Sequence, residues 1–136
     1  MDWKECKDKK LIKERKEDIN LRDSLINQSS KKLYSSNILE LNDKTATSKI
    51  SLIYDSIREL LEAIATKKGY KIYNHECYCA FLKEIVKDSE AGSIFDEFRK
   101  IRNGINYYGK DITKDEAKEL VKNMLLLRKK LEKYLL

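Results

Sequence analysis

The sequence predicts an all-α fold: an antiparallel helical bundle of about five helices, in a single domain over residues 1–136. Three observations carry this. Proline is absent and glycine occurs only at Gly69, Gly92, Gly104 and Gly109, so the turn signals that a β-sandwich needs every ~8–12 residues are missing. Apolar residues make up 41% of the chain and recur at helical spacing, unlike those of a disordered segment. The joints between the periodic stretches are short, which favours antiparallel neighbours.

The first stretch has Ile12, Ile19, Ile26 and Leu33 at seven-residue intervals, with Leu11 and Leu25 beside them, and reads as one long helix over about 4–36. Its opening turns are so charged that residues 1–17 are expected to project as a solvated helical extension. Asn42-Asp43 and the Thr45–Ser48 cluster supply a turn and several N-caps. The second helix carries Ile50, Ile53, Tyr54, Ile57, Leu60, Leu61 and Ile64 and ends at Lys67-Lys68-Gly69, cations followed by a left-handed cap. A third, over about 75–88 with Asn74 as N-cap, turns Tyr78, Phe81, Leu82 and Ile85 inward. Asp88–Ser93, with Gly92, breaks the pattern. The fourth helix begins near Ser93, places Ile94, Phe95, Phe98, Ile101, Ile105 and Tyr108 on one side, and stops at Gly109. Thr113 and Glu116 form a capping box for the fifth, whose inward side is Ala117, Leu120, Val121, Met124, Leu127 and Leu131.

No run approaches the ~18 apolar residues of a membrane span, and the mixed-charge start lacks the apolar segment of a signal peptide. Cys6, Cys77 and Cys79 are an odd count, and the last two are too close to bridge each other. They read as small apolar thiols in a reducing cytoplasm. Cys77-x-Cys79 beside His75 falls short of the four ligands of a structural zinc, so no metal or cofactor is expected. The 29 Lys and Arg against 23 Asp and Glu leave a net charge of +6, a mild tilt toward anions, nucleic acid included.

One segment breaks its own pattern. From Phe98 to Gly109, Arg99, Asn103 and Asn106 follow at i, i+4, i+7, with Arg102 one turn before Asn106. Asn and Gly inside a helix each cost roughly 0.5–1 kcal/mol relative to Ala. Gly104 suggests a close approach by another backbone or a ligand. The plain alternative is a frayed last turn, with Arg102 capping carbonyls or pairing with an acid. His75, the sole imidazole, opens the third helix; it is either locally satisfied or, if it approaches Arg102 in space, catalytic.

At Arg102-Asn103-Gly104-Ile105-Asn106-Tyr107 the chain resembles the HEPN family of small helical bundles, marked by an Arg followed four to six residues later by His. Tyr54–Ile64 resembles an earlier helix of that family, and the stretch from Gly69-Tyr70 through His75-Glu76 and Phe81-Leu82 resembles its join. The resemblance covers about 40–134. It implies a homodimer whose Arg-bearing helices face each other across a cleft, and RNA or nucleotide binding. In its strong form it implies a toxin-type, metal-independent endoribonuclease paired with a nucleotidyltransferase antitoxin. By this resemblance Arg102, Asn103 and Tyr107 are the catalytic candidates, and Arg99, Arg102, Asn103, Asn106, Tyr107 and Tyr108 the binding ones. The motif His is Tyr107 here, and a phenol with pKa ~10 is a poor base at neutral pH. The position that some members modify with AMP is Gly109, with only Tyr108 adjacent. The alternative is a non-catalytic module that dimerises or docks such a nucleotidyltransferase. All functional expectations depend on the Arg102 guanidinium lying in a solvent-reachable groove shared by two copies, neither loose in bulk water nor sealed by an internal carboxylate.

Overall fold

The computed structural model describes residues 1–136, helical throughout except for one two-stranded sheet and the joints. Helix α3 (Ala46–Lys68) is its spine, in contact with each of the other long helices. All seven apolar residues of its periodic stripe, Ile50 to Ile64, are buried. Gly69 ends it at φ 90°, its N–H reaching the Ala65 and Thr66 carbonyls.

Helix α2 (Ile19–Ile38) runs antiparallel to α3, and the contact between them is polar at its centre. Ser29 Oγ donates to the Ser56 carbonyl (2.6 Å) and Ser56 Oγ donates to the Ser29 carbonyl (2.7 Å). Both hydroxyls keep lone pairs, and Arg128 fills them: Nε donates to Ser56 Oγ at 2.7 Å and Nη2 to Ser29 Oγ at 3.1 Å. Small side chains let the two backbones approach, and every donor in the group has an acceptor.

The N-terminal expectation fails. Instead of one helix over about 4–36, the chain forms α1 (Trp3–Asp8), strand β1 (Ile12–Glu14) and then α2. Asp2 caps α1 and Asp18 caps α2, each accepting from an N–H three residues on, and Lys10 turns the chain at φ 58°. Residues 1–17 are not a solvated extension: Trp3 and Cys6 are buried in the main core, Trp3 edge-on to Tyr70 (5.1 Å between centroids) and tilted against Phe81 (5.9 Å). Strand β1 pairs antiparallel with β2 (Tyr70–Ile72), placing Ile12 opposite Ile72 and Glu14 opposite Tyr70. The seven-residue spacing was coincidental: Ile12 lies in a strand and Ile19 is 57% exposed. Cys6 and Cys77 are joined as a disulfide, and Cys79 alone is a thiol. The expectation of three separate thiols is thereby overturned, because the N-terminal segment folds back onto the third helix, and the cysteine argument for a reducing cytoplasm goes with it.

Helix α4 (Cys77–Ala80) continues as a wide π turn, Phe81–Ile85, so the third helix is shorter than 75–88. Asn74 acts one turn early, its Oδ1 accepting from the Glu76 N–H at 2.8 Å. Helix α5 (Ser89–Tyr108) starts at an Asp88 cap rather than near Ser93. Gly92 is therefore inside it, where a Cβ would stand 2.8 Å from Lys83 Cγ and 3.0 Å from the Cys79 carbonyl oxygen. Glycine serves close helix packing there, not a break. Gly104 has the reverse outcome: its nearest neighbour would be Lys110 Cδ at 3.8 Å, so nothing within the chain makes the close approach expected. Tyr108, placed on the inward side by periodicity, is 85% exposed in the last turn. Helix α6 (Lys114–Leu131) has the capping box of Thr113 and Glu116 and buries Ala117, Val121, Met124, Leu127 and Leu131. A 3-10 turn, Glu132–Leu135, follows. No helix is long and apolar enough to cross a membrane.

Candidate functional site

The second half of α5 and the β2–α4 connection face each other across an open cleft of about 280 Å³. Arg99, Arg102, Asn103 and Tyr107 line one wall; Tyr73, Asn74, His75 and Glu76 line the other. Helical spacing explains the first wall, since positions 99, 102, 103 and 107 fall on one stripe. The second is fixed by β2, by the Asn74 turn and by the disulfide two residues after His75.

Tyr54 of α3 is buried behind the cleft and touches a residue of each wall. Its ring stacks on Phe95 at 5.5 Å, the Arg102 guanidinium carbon lies 5.2 Å from its centroid, and its hydroxyl meets His75 Nδ1 at 3.2 Å. Burial pushes the phenol up to about 12, with Arg102 and Arg58 opposing. It is therefore un-ionised at neutral pH. Burial, followed by the nearby charges of Arg58 and Arg102, pulls His75 down to about 4, so the imidazole is neutral too.

Arg102 is held without being satisfied. Its side chain is 20% exposed, Nη2 is 3.6 Å from Asp55 Oδ1, and Nε is buried with no hydrogen-bond partner. That separation is an ion pair beyond hydrogen-bond length, so the group is neither loose in bulk water nor sealed against the carboxylate. Asp55 is shared, its Oδ1 also 3.9 Å from Arg58 Nε. Arg99 is more committed: Nε donates to Asp96 Oδ1 at 2.8 Å, and Lys100 adds a second cation to that carboxylate at 3.4 Å.

Of the six binding candidates, the cleft brings together Arg99, Arg102, Asn103 and Tyr107. Asn106 and Tyr108 point elsewhere and are exposed. Sequence reasoning missed Tyr54, Asp55 and Tyr73. Tyr54 lies on the apolar stripe and reads as core, but a buried phenol needs a partner for its hydroxyl, and that requirement was the available signal. His75 does approach the Arg102 region, the condition on which a chemical role for it depended. No three His, Cys, Asp or Glu side chains converge anywhere in the fold, so no residues are assigned to a metal. No protein-family model, curated protein or solved structure matches the chain.

Proposed function

We propose that the cleft binds RNA or a nucleotide, in a HEPN-like homodimer. The observation that carries this is the Arg102 guanidinium: braced by an aromatic face and a distant carboxylate, it makes no hydrogen bond within the chain and borders an open cleft. A phosphate supplies the acceptors such a planar donor lacks, and Arg99 adds a second positive charge. Tyr73 and Tyr107, 57% and 73% exposed, flank the cleft and offer ring surface for base stacking, with Lys71 Nζ over one face of Tyr73 at 5.9 Å. A symmetric dimer with α5 against α5 doubles the guanidinium groups and covers the exposed Tyr107 and Tyr108. The test is retention of single-stranded RNA on filters by the wild type and Arg102→Ala, with folding checked by circular dichroism. We expect affinity to drop at least tenfold, the value of one charge-assisted contact. Equal retention rejects the site.

The Asp55 and Tyr54 contacts of Arg102 favour one competing reading, a docking module in which the arginine orders an interface for a second copy or a nucleotidyltransferase. In that case Arg102→Ala weakens self-association in sedimentation and leaves RNA retention unchanged.

A further inference from the structure

We infer that the corner where β1 meets the end of α3 is a second anion site, separate from the cleft, that takes a compact phosphate of high charge such as pyrophosphate. An open depression of about 470 Å³ lies there, lined by Glu14, Arg15, Lys16, Lys68, Gly69 and Tyr70. Arg15 is fixed in place as well as charged. Its backbone N–H donates to the Gly69 carbonyl at 2.9 Å and its Nη2 to Thr66 Oγ1 at 2.6 Å, while the Thr66 hydroxyl donates onward to the Glu62 carbonyl at 2.9 Å. The guanidinium plane is thereby held, yet Nε is buried with no partner and Nη1 makes no hydrogen bond within the chain. Only one other arginine, Arg102 at the cleft, has its Nε in the same state.

The nearby carboxylates are engaged elsewhere. Glu17 pairs with Arg22, and Glu62 with Arg58 and Lys71, so that Arg15, Lys16 and Lys68 join no ion pair. Glu14 is the one carboxylate in the lining, and it is exposed and paired with none of them. The end of α3 brings carbonyl oxygens that repel an anion, but those of Ala65, Thr66 and Gly69 already accept backbone N–H groups. A multiply charged phosphate supplies the acceptors that a forked guanidinium and two ammonium groups lack. This corner is not an extension of the cleft. Asp55, beside Arg102, and Thr66, beside Arg15, are eleven positions apart on α3, about 16 Å at a rise of ~1.5 Å per residue. Between them Arg58 and Lys71 are committed to Asp55, Glu59 and Glu62. A strand of RNA following α3 would run against those carboxylates, whereas a compact ligand meets only the corner.

The test is pyrophosphate binding to the full chain in metal-free buffer, read by calorimetry and by the rise in urea midpoint at about 5 mM ligand against sodium chloride of equal ionic strength. We expect the wild type and Arg102→Ala to bind alike, and Arg15→Gln to bind about tenfold more weakly or worse, the loss of one charge-assisted contact. Because Arg15→Gln also gives up the Thr66 contact, the double variant Lys16→Gln, Lys68→Gln is the check that leaves the fold intact, both lysines being exposed. It should lose about tenfold as well, while retaining single-stranded RNA as the wild type does. Absence of pyrophosphate binding by the wild type, undiminished binding by Arg15→Gln and the double variant, or loss of binding on Arg102→Ala alone overturns the site. Weaker RNA retention by the double variant also overturns it, by making this corner part of the RNA footprint. Unchanged RNA retention by Arg102→Ala is a different failure, that of the cleft, and leaves the corner standing.

Discussion

At Tyr54 one core side chain touches both polar groups above it, the Arg102 guanidinium at its ring and His75 Nδ1 at its hydroxyl. The cost falls on the histidine. In the folded chain its pKa is about 4, against an ordinary value of 6.5 in the unfolded one, because burial and the Arg58 and Arg102 charges oppose protonation. Between these values the unfolded state binds more protons, so stability rises with pH across the window and is lost as pH falls from about 6.5 toward 4. His75→Gln removes the titrating group. Urea midpoints measured at pH 4.5 and 7 should differ more for the wild type than for the variant; equal differences mean that His75 is not desolvated as described. Two carboxylates leave this window clear. Burial raises Asp88 and Asp96, but hydrogen bonds from Tyr134, Ala91 and Lys130 to the first, and from Arg99 and Lys100 to the second, outweigh it and hold both below 3.8. Their contributions are lost only at lower pH.

The elements differ in how plainly the sequence announces them. Helix α3 buries its whole stripe and α6 all of its own except the half-buried Leu120, and they carry their own stop and start, Gly69 and the Thr113 box, so local rules and tertiary packing agree. Helix α2 packs through Ser29 and Ser36, which no hydrophobic period reveals: Ser29 joins a closed hydrogen-bond group with Ser56 and with Arg128 on a distant helix, and the Ser36 hydroxyl donates back to the Leu33 carbonyl. The N-terminal clasp was illegible for a related reason. Three residues of β1 find their partners 56 to 60 positions away, at β2, and so carry no local strand signal. Two cysteines 71 residues apart give no hint of their pairing. That separation has a measurable consequence. Closing so long a loop restricts the unfolded chain, and reducing Cys6–Cys77, or replacing both residues by Ser, should lower stability by about 2–4 kcal/mol in urea titrations. A loss under about 0.5 kcal/mol would mean that Trp3 and the strand pair hold the clasp without the bridge. The Arg–Asn half of the cleft was legible because helical spacing fixes positions 99 to 107. The His75 half was not, since its place comes from this clasp.

Over the whole molecule the net charge of +6 is a poor guide to where an anion goes, because most acids near the site are already engaged. Glu62 accepts from Lys71 at 2.7 Å, Glu59 is ion-paired with Lys32, and Asp96 serves both Arg99 and Lys100. The positive charge least answered at the cleft is Arg102, which shares Asp55 with Arg58, with a part of Arg99, and it is local. Two binding modes therefore predict different salt dependence. Diffuse attraction to a basic surface involves many phosphates and a steep loss of affinity with ionic strength, whereas a defined cleft touches few. For single-stranded RNA the slope of log affinity against log salt is about −0.7 per phosphate neutralised, so contacts to two to four phosphates give about −1.4 to −2.8. Arg102→Ala should flatten the wild-type slope by about 0.7, the loss of one phosphate contact. Filter binding from 50 to 300 mM salt reads both numbers. A wild-type slope steeper than about −5, untouched by Arg102→Ala, would assign binding to the general charge of the surface and remove the cleft from it.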